Sequence, residues 1–240
     1  VSPPDSDAEA ARWAELAQLA ELGLLSASLF HEIRQPLFVL KGLVDLALSR
    51  RLGLQEEELR LILQELRHVE ALVEHYGTLQ SAPIAPEPLD LDTAVRAAVD
   101  AMAPRARQRG VDLQFRPGGG GVVVARGVAV RQVVVNLVAN AIDAAVHGGR
   151  TVEVATRVDG GGPEVLVTDT GLGVDPTVRD RLFAPFVTTK PPGAGTGLGL
   201  FITRRLVAEF GGGIELVPGA GRGTLARVRF GGGAVRDGAG

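Results

Sequence analysis

The spacing of apolar and polar residues along this 240-residue chain changes character once, near residue 81. Before that point the rhythm is helical. Phe30, Ile33, Leu37, Leu40, Val44 and Ala47 fall at alternating three- and four-residue steps, the seam of a helical bundle. This predicts one long helix over 8–50, a turn at Gly53 and a second helix over 55–80. The second seam runs through Leu59, Leu63, Leu66, Val69 or Leu72, Val73 and Tyr76. Two helices with one apolar stripe each cannot bury it well alone, so an antiparallel hairpin is expected to pair with a second copy as a four-helix bundle.

Residues 81–88, Ser-Ala-Pro-Ile-Ala-Pro-Glu-Pro, keep neither periodicity and read as a linker. Beyond them the pattern mixes helix and strand. Helices are expected at 91–109, 128–146 and 198–210, with strands at 111–115, 122–125, 151–158, 163–168, 213–217 and 224–230. They do not alternate strictly, which favours a mixed sheet covered by helices on one face. The domains read as a helical hairpin at 1–80, the linker 81–88, an α/β domain at 89–232 and a flexible tail at 233–240.

Composition narrows the function classes. The formal charge is −3, so no excess of Lys and Arg points to nucleic acid. There is no cysteine, which excludes disulfides, thiolate metal sites and a cysteine nucleophile, and fits a cytoplasmic setting. No uninterrupted apolar run approaches the ~18 residues of a membrane span, and no secretory leader opens the chain. Its start at Val1 reads as a piece of a longer protein, with any sensor or anchor lying elsewhere.

Three stretches carry candidate chemistry. The first is Phe-His-Glu-Ile-Arg-Gln-Pro-Leu at 30–37, where His31 shares a helix face with Ser28, Arg34, Gln35 and Phe38. Alone it reads equally as a surface histidine, although Pro36 is expected to kink the helix beside it. The second is a stripe on the 128–146 helix: Gln132, Asn136, Asn140, Asp143 and His147. It reads as a solvated face, a structural network or a source of hard oxygen ligands for Mg²⁺. The third is glycine-rich: Asp169-Thr170-Gly171-Leu172-Gly173 at a strand end, and Gly195-Thr196-Gly197-Leu198-Gly199-Leu200 opening a helix. Exposed amides at a helix N-terminus suit phosphate, and the bland alternative is a mobile loop. Thr188, Thr189 and Lys190 add hydroxyls and a cation upstream, while Phe183 and Phe186 are placed to pack as a hinge.

In this order the stretches resemble sensor histidine kinases of two-component systems. The 30–37 stretch is similar to their phosphoacceptor box and Asn136 to Ala141 to their asparagine box. Asp169 to Gly173, Phe183 to Phe186, Gly195 to Leu200 and Gly221 to Thr224 are similar to the later glycine and phenylalanine boxes. The nearest branch is the nitrogen-regulation and C4-dicarboxylate-sensing one. The resemblance implies a homodimeric phosphotransfer hairpin followed by a Bergerat-type α/β sandwich of the gyrase, Hsp90, histidine kinase and MutL group, GHKL for short.

It further implies ATP and Mg²⁺ as cofactors, autophosphorylation on His31, and transfer to an aspartate of a response-regulator receiver domain. Glu32 would take or orient the imidazole proton, and Gln35 would orient a water for dephosphorylating the partner. Asn140 would hold Mg²⁺, with Asn136 and Asp143 near the phosphates. Asp169 would accept from the adenine amino group in a pocket shaped by Gly171, Gly173 and Thr224. Thr188, Thr189, Lys190, Gly195, Thr196, Gly197, Leu198 and Gly199 would form the lid. One departure stands out: relatives often carry an acidic residue before the asparagine helix, where this chain has Arg126-Gly127. The alternatives are an ATPase of the same group, which would need a glutamate where Asn136 stands, and a non-catalytic nucleotide-binding scaffold.

Overall fold

The computed structural model describes residues 33–49, 53–80, 85–191, 195–219 and 222–231. His31, Glu32, the first half of the expected linker (81–84) and the 233–240 tail lie outside them. The chain divides into two compact units: Val1–Thr78 with Lys190–Thr196, and Leu79–Thr189 with Gly197–Gly240.

The first unit is helical. Helix α1 is described over 33–49, and its helical backbone runs through Pro36 without a break in assignment. Helix α2 spans Glu56–Gln80, beginning with three glutamates that suit the positive end of the helix. Much of the expected seam faces solvent in the single chain: Leu37, Val44, Leu59, Leu63 and Leu66 are exposed; Phe38, expected on the His31 face and not in the seam, is 77% exposed.

The second unit is a sandwich of three helices on a mixed sheet. Strand β1 (Glu87–Asp90) pairs antiparallel with β3 (Val122–Ala125) in a separate two-stranded ribbon. The main sheet has the order β2 (Asp112–Arg116), β4 (Thr151–Asp159), β5 (Gly162–Asp169), β7 (Thr224–Arg229), β6 (Gly213–Pro218). Only β2 and β4 pair in parallel. β1 is a strand that periodicity missed. It begins inside the proline-rich stretch at 87 and keeps Pro88, as a strand on a sheet edge can.

Helices α3 (Leu91–Arg109), α4 (Gly127–Ala145) and α5 (Gly199–Glu209) cover one face of that sheet, with α4 in the middle over β4 and β5. α3 is bounded by its own sequence. Asp90 caps it by accepting from Thr93 N–H at 2.7 Å, and Gly110 closes it in the left-handed conformation at φ +64°. The shared core is aliphatic: Val130, Val134, Leu137 and Ile142 of α4 meet Val152, Val154, Val165 and Val167 of the sheet, all buried. Among the described residues α4 alone is long and apolar enough to cross a membrane, but its apolar side is committed to this core.

The sheet's other face is polar. Opposed residues Arg157, Glu164 and Arg229 on β4, β5 and β7 form a ladder. Glu164 receives Arg157 Nε at 2.9 Å and Arg229 Nε at 2.8 Å, and its side chain is closed to solvent. Burial alone would raise this carboxyl. The hydrogen bonds from Arg229 and Arg157 outweigh it and hold Glu164 below the ordinary glutamate range.

Candidate functional site

α4 begins without a side-chain cap, because Arg126 occupies the N-cap position. The Arg126 guanidinium pairs instead with Glu209 at the end of α5. A cation at a helix N-terminus and an anion at a C-terminus are each unfavourably placed in the helix fields, and the pairing offsets both.

The polar stripe predicted on α4 is divided among three environments. Asn136 is buried, only 7% exposed, and its amide is committed inside the protein. Asn140, one turn on, is half-buried; its Nδ2 lies 4.0 Å from where a Cβ on Gly199 would sit. Asp143 accepts from Arg105 of α3, whose Nη2 is 3.0 and 3.1 Å from the two carboxylate oxygens. His147 is exposed beyond the helix end. Sequence reading missed Arg105, which lies 38 residues from its partner and within no glycine- or asparagine-rich stretch.

Asp169 ends β5 and is 6% exposed. Gly171 N–H donates to its Oδ1 at 2.8 Å, and Thr224 N–H donates to the same oxygen at 3.3 Å. Burial pushes this carboxyl above the ordinary aspartate range, against the lowering effect of the bonds from Gly171 and Thr224. The approach of Thr224 depends on glycine. Gly223 has φ +116°, and a Cβ there would fall 2.0 Å from the Asp169 carbonyl oxygen. Gly173, Val174, Leu182, Leu216 and Thr224 line a half-open cavity of about 230 Å³.

The segment before α5 is anchored by backbone contact. Gly197 has φ +67°, and a Cβ on it would lie 2.4 Å from the Phe186 carbonyl carbon. Phe186 is itself left-handed at φ +62°. Phe186 thus meets the glycine segment through its backbone, while Phe183 lies under the Arg204 guanidinium, 6.0 Å from the ring centroid. Leu198 is buried, Thr188 and Thr189 are exposed, and Lys190, Gly195 and Thr196 belong to the first unit. The second unit therefore contains Asn136, Asn140, Asp143, Asp169, Gly171, Gly173, Thr188, Thr189, Gly197, Leu198, Gly199 and Thr224.

Residues 125–231 match the family described as histidine kinase-, DNA gyrase B-, and HSP90-like ATPase. The chain is 35% identical over 234 residues to the two-component sensor PprA of Pseudomonas aeruginosa, covering 90% of this chain and 25% of that protein. It is 30% identical to the sensor histidine kinase ZraS of Escherichia coli K12, covering 86% of this chain and 45% of that one. The chain thus spans a quarter to under half of these relatives. In fold it is similar to the histidine kinase ThkA solved in complex with the response regulator protein TrrA. That alignment has a TM-score of 0.71 and 23% identity over 89% of this chain and 63% of that one. Residues 125–231 accordingly have the fold of the histidine kinase, gyrase B and HSP90-like ATPase family, in a chain similar along most of its length to sensor histidine kinases.

Proposed function

We propose that this chain is the catalytic core of a sensor histidine kinase, using ATP to phosphorylate His31 and passing the phosphoryl group to a receiver aspartate. The observation that carries the reading is Asp169, a buried carboxylate at a strand end, held by two backbone N–H groups and beside a glycine that lets the chain pass close. Such an acceptor suits the exocyclic amino group of adenine, and ionisation restrained by burial leaves it responsive to a donor.

The site residues then take the following parts. Asp169, Gly171, Gly173 and Thr224 receive the base. Asn140 and Asp143 are assigned to the phosphates, as are Thr188, Thr189, Gly195, Thr196, Gly197, Leu198 and Gly199, with Lys190 as a neutralising cation. Asn140 offers a neutral, half-buried hard oxygen donor, and no cluster of acidic or histidine side chains among the described residues would hold a metal by itself. That fits Mg²⁺, which takes one or two protein ligands and completes its sphere with substrate phosphates. When bound, the ion would neutralise charge on the phosphates.

His31 attacks the γ-phosphorus through one ring nitrogen. The N–P bond forms as the bond to the bridging oxygen breaks, and its electron pair leaves with ADP. Glu32 takes the proton from the other ring nitrogen. The receiver aspartate then displaces the imidazole; ThkA, similar in fold, is recorded in complex with a response regulator. The exposed residues Leu37, Val44, Leu59, Leu63 and Leu66 support burial of the helical seams against a second copy. Gln35, exposed on α1, is proposed to orient water for dephosphorylation; an unchanged rate in Gln35→Ala would remove that role. Placement in the nitrogen-regulation and C4-dicarboxylate branch, and a cytoplasmic position for this part of the protein, belong to the same reading.

Incubation with γ-labelled ATP and Mg²⁺ tests it. The expected product is acid-labile, alkali-stable label that is absent in His31→Gln. No label on the parent chain, in the presence of ATP binding, would instead favour a scaffold. Hydrolysis without phosphotransfer has less support, since Asn136 stands where that reading needs a glutamate and Asp143 is engaged by Arg105.

A further inference from the structure

Asn136 is placed by resemblance near the phosphates, but its hydrogen bonds point elsewhere. Its Nδ2 donates to the Gly199 carbonyl oxygen at 3.2 Å and lies 3.4 Å from Thr203 Oγ1. Its Oδ1 accepts from Gln132 Nε2 at 3.0 Å. The Gly199 carbonyl can only accept, so it fixes which end of the amide faces α5. Thr203 is fully buried, and its hydroxyl donates back to the same carbonyl at 2.8 Å. Two side chains from different helices thus converge on one backbone oxygen in the first turn of α5. The N-cap residue of that turn is Leu198, whose side chain supplies no capping oxygen.

We propose that Gln132, Asn136 and Thr203 form a latch that fixes the first turn of α5 on α4, making Asn136 and Thr203 positioning residues for nucleotide capture rather than ligands of metal or phosphate. The proposal rests on the kinase reading. The Asn136 amide spends its NH₂ group on Gly199 and Thr203 and one lone pair of its oxygen on Gln132, and it is buried, whereas its neighbour Asn140 is half-buried. The latch holds Gly199, from which the glycine segment departs toward Gly197 and Phe186. Its loss loosens the place where the helix N-terminus meets the phosphates.

The test uses the full chain with Thr203→Val, Thr203→Ser and Asn136→Ala. Valine keeps the volume and loses the hydroxyl; serine keeps the hydroxyl and loses a methyl group. The latch predicts that Thr203→Val weakens ATP binding about three- to tenfold, the worth of one hydrogen bond, while Thr203→Ser binds within twofold of the parent. Hydrogen exchange over 199–203 without nucleotide should rise in the valine variant and not in the serine variant. A packing role predicts the reverse order, with serine the more damaging, and that order would overturn the latch.

Asn136→Ala separates latch from ligand. Its loss of ATP affinity should be equal with Mg²⁺ and with EDTA, whereas a loss seen only with Mg²⁺ would make Asn136 a metal ligand and sink the proposal. Absence of ATP binding by the parent chain would defeat the kinase reading itself. Normal parent binding with an unaltered Thr203→Val would defeat the latch alone.

Discussion

Asp169→Asn separates the cost of burying a carboxylate from its use. Asparagine keeps an oxygen where Gly171 and Thr224 N–H groups donate to Oδ1, so the local turn should survive. It replaces the second oxygen with an NH₂ group, which cannot accept from adenine. A hydrogen bond to a charged group contributes about 1.5–3 kcal/mol, so ATP affinity should fall about 10- to 150-fold. Stability should move the other way. Burial raises the folded-state pKa of Asp169 above its unfolded value, so its contribution is full below the ordinary aspartate range and is lost as pH rises through the folded value. At pH 7 the ionised side chain is therefore a burden that the bonds from Gly171 and Thr224 only partly offset, and a neutral amide lifts it. The expected outcome is a nucleotide-free melting temperature equal to or a few degrees above the parent, with a smaller dependence on pH between 4 and 7. Calorimetric ATP titration and thermal melts across that range check both halves. Parallel loss of affinity and melting temperature would refute the reasoning, because it would make Asp169 a structural residue whose charge the fold needs.

Two other sites should respond through the fold. Glu164→Gln removes the charge between Arg157 and Arg229 and should cost about 1–2 kcal/mol in denaturant unfolding, below a fully buried pair because both guanidinium groups reach solvent. Glu164 has a lowered pKa, so its stabilisation is present above the ordinary glutamate value and lost as pH falls through the folded one; the variant's deficit should shrink in acid. Asp92→Ala removes the acceptor for Gly119 and Gly120 N–H and for the Thr156 hydroxyl. It should cost about 1–3 kcal/mol and raise hydrogen exchange over 117–121, and unchanged exchange there would show that the loop is held by other bonds.

Much of the sandwich was legible because its elements carry their own punctuation. α3 sits between Asp90 and Gly110, and β4 and β5 turn at a run of glycines, so their bounds fall within a residue or two of those expected. β1 was not legible, since four residues with a proline have no period and become a strand only when β3 lies alongside. The short 3₁₀ turn at Arg179–Arg181 was hidden in a segment read as loop for the same reason. On α4, spacing correctly put Asn136, Asn140 and Asp143 on one side but could not say what faced them. One meets α5, one meets an arginine from α3, and only Asn140 keeps the open character a ligand needs. Those distinctions come from residues 38 to 67 positions away, beyond the reach of any local pattern.

The close approach of Gly197 to Phe186 has a consequence for how the segment between them can vary. Because backbone atoms make this contact, the two anchors of the excursion that leaves at Phe186 and returns at Gly197 do not depend on the side chains inside it. Doubling the length of such an excursion costs only about 0.6 kcal/mol of closure entropy. Insertions, deletions or a graft from another protein should therefore leave the fold and the 186–197 contact intact, whatever they do to nucleotide binding, provided that position 197 stays glycine.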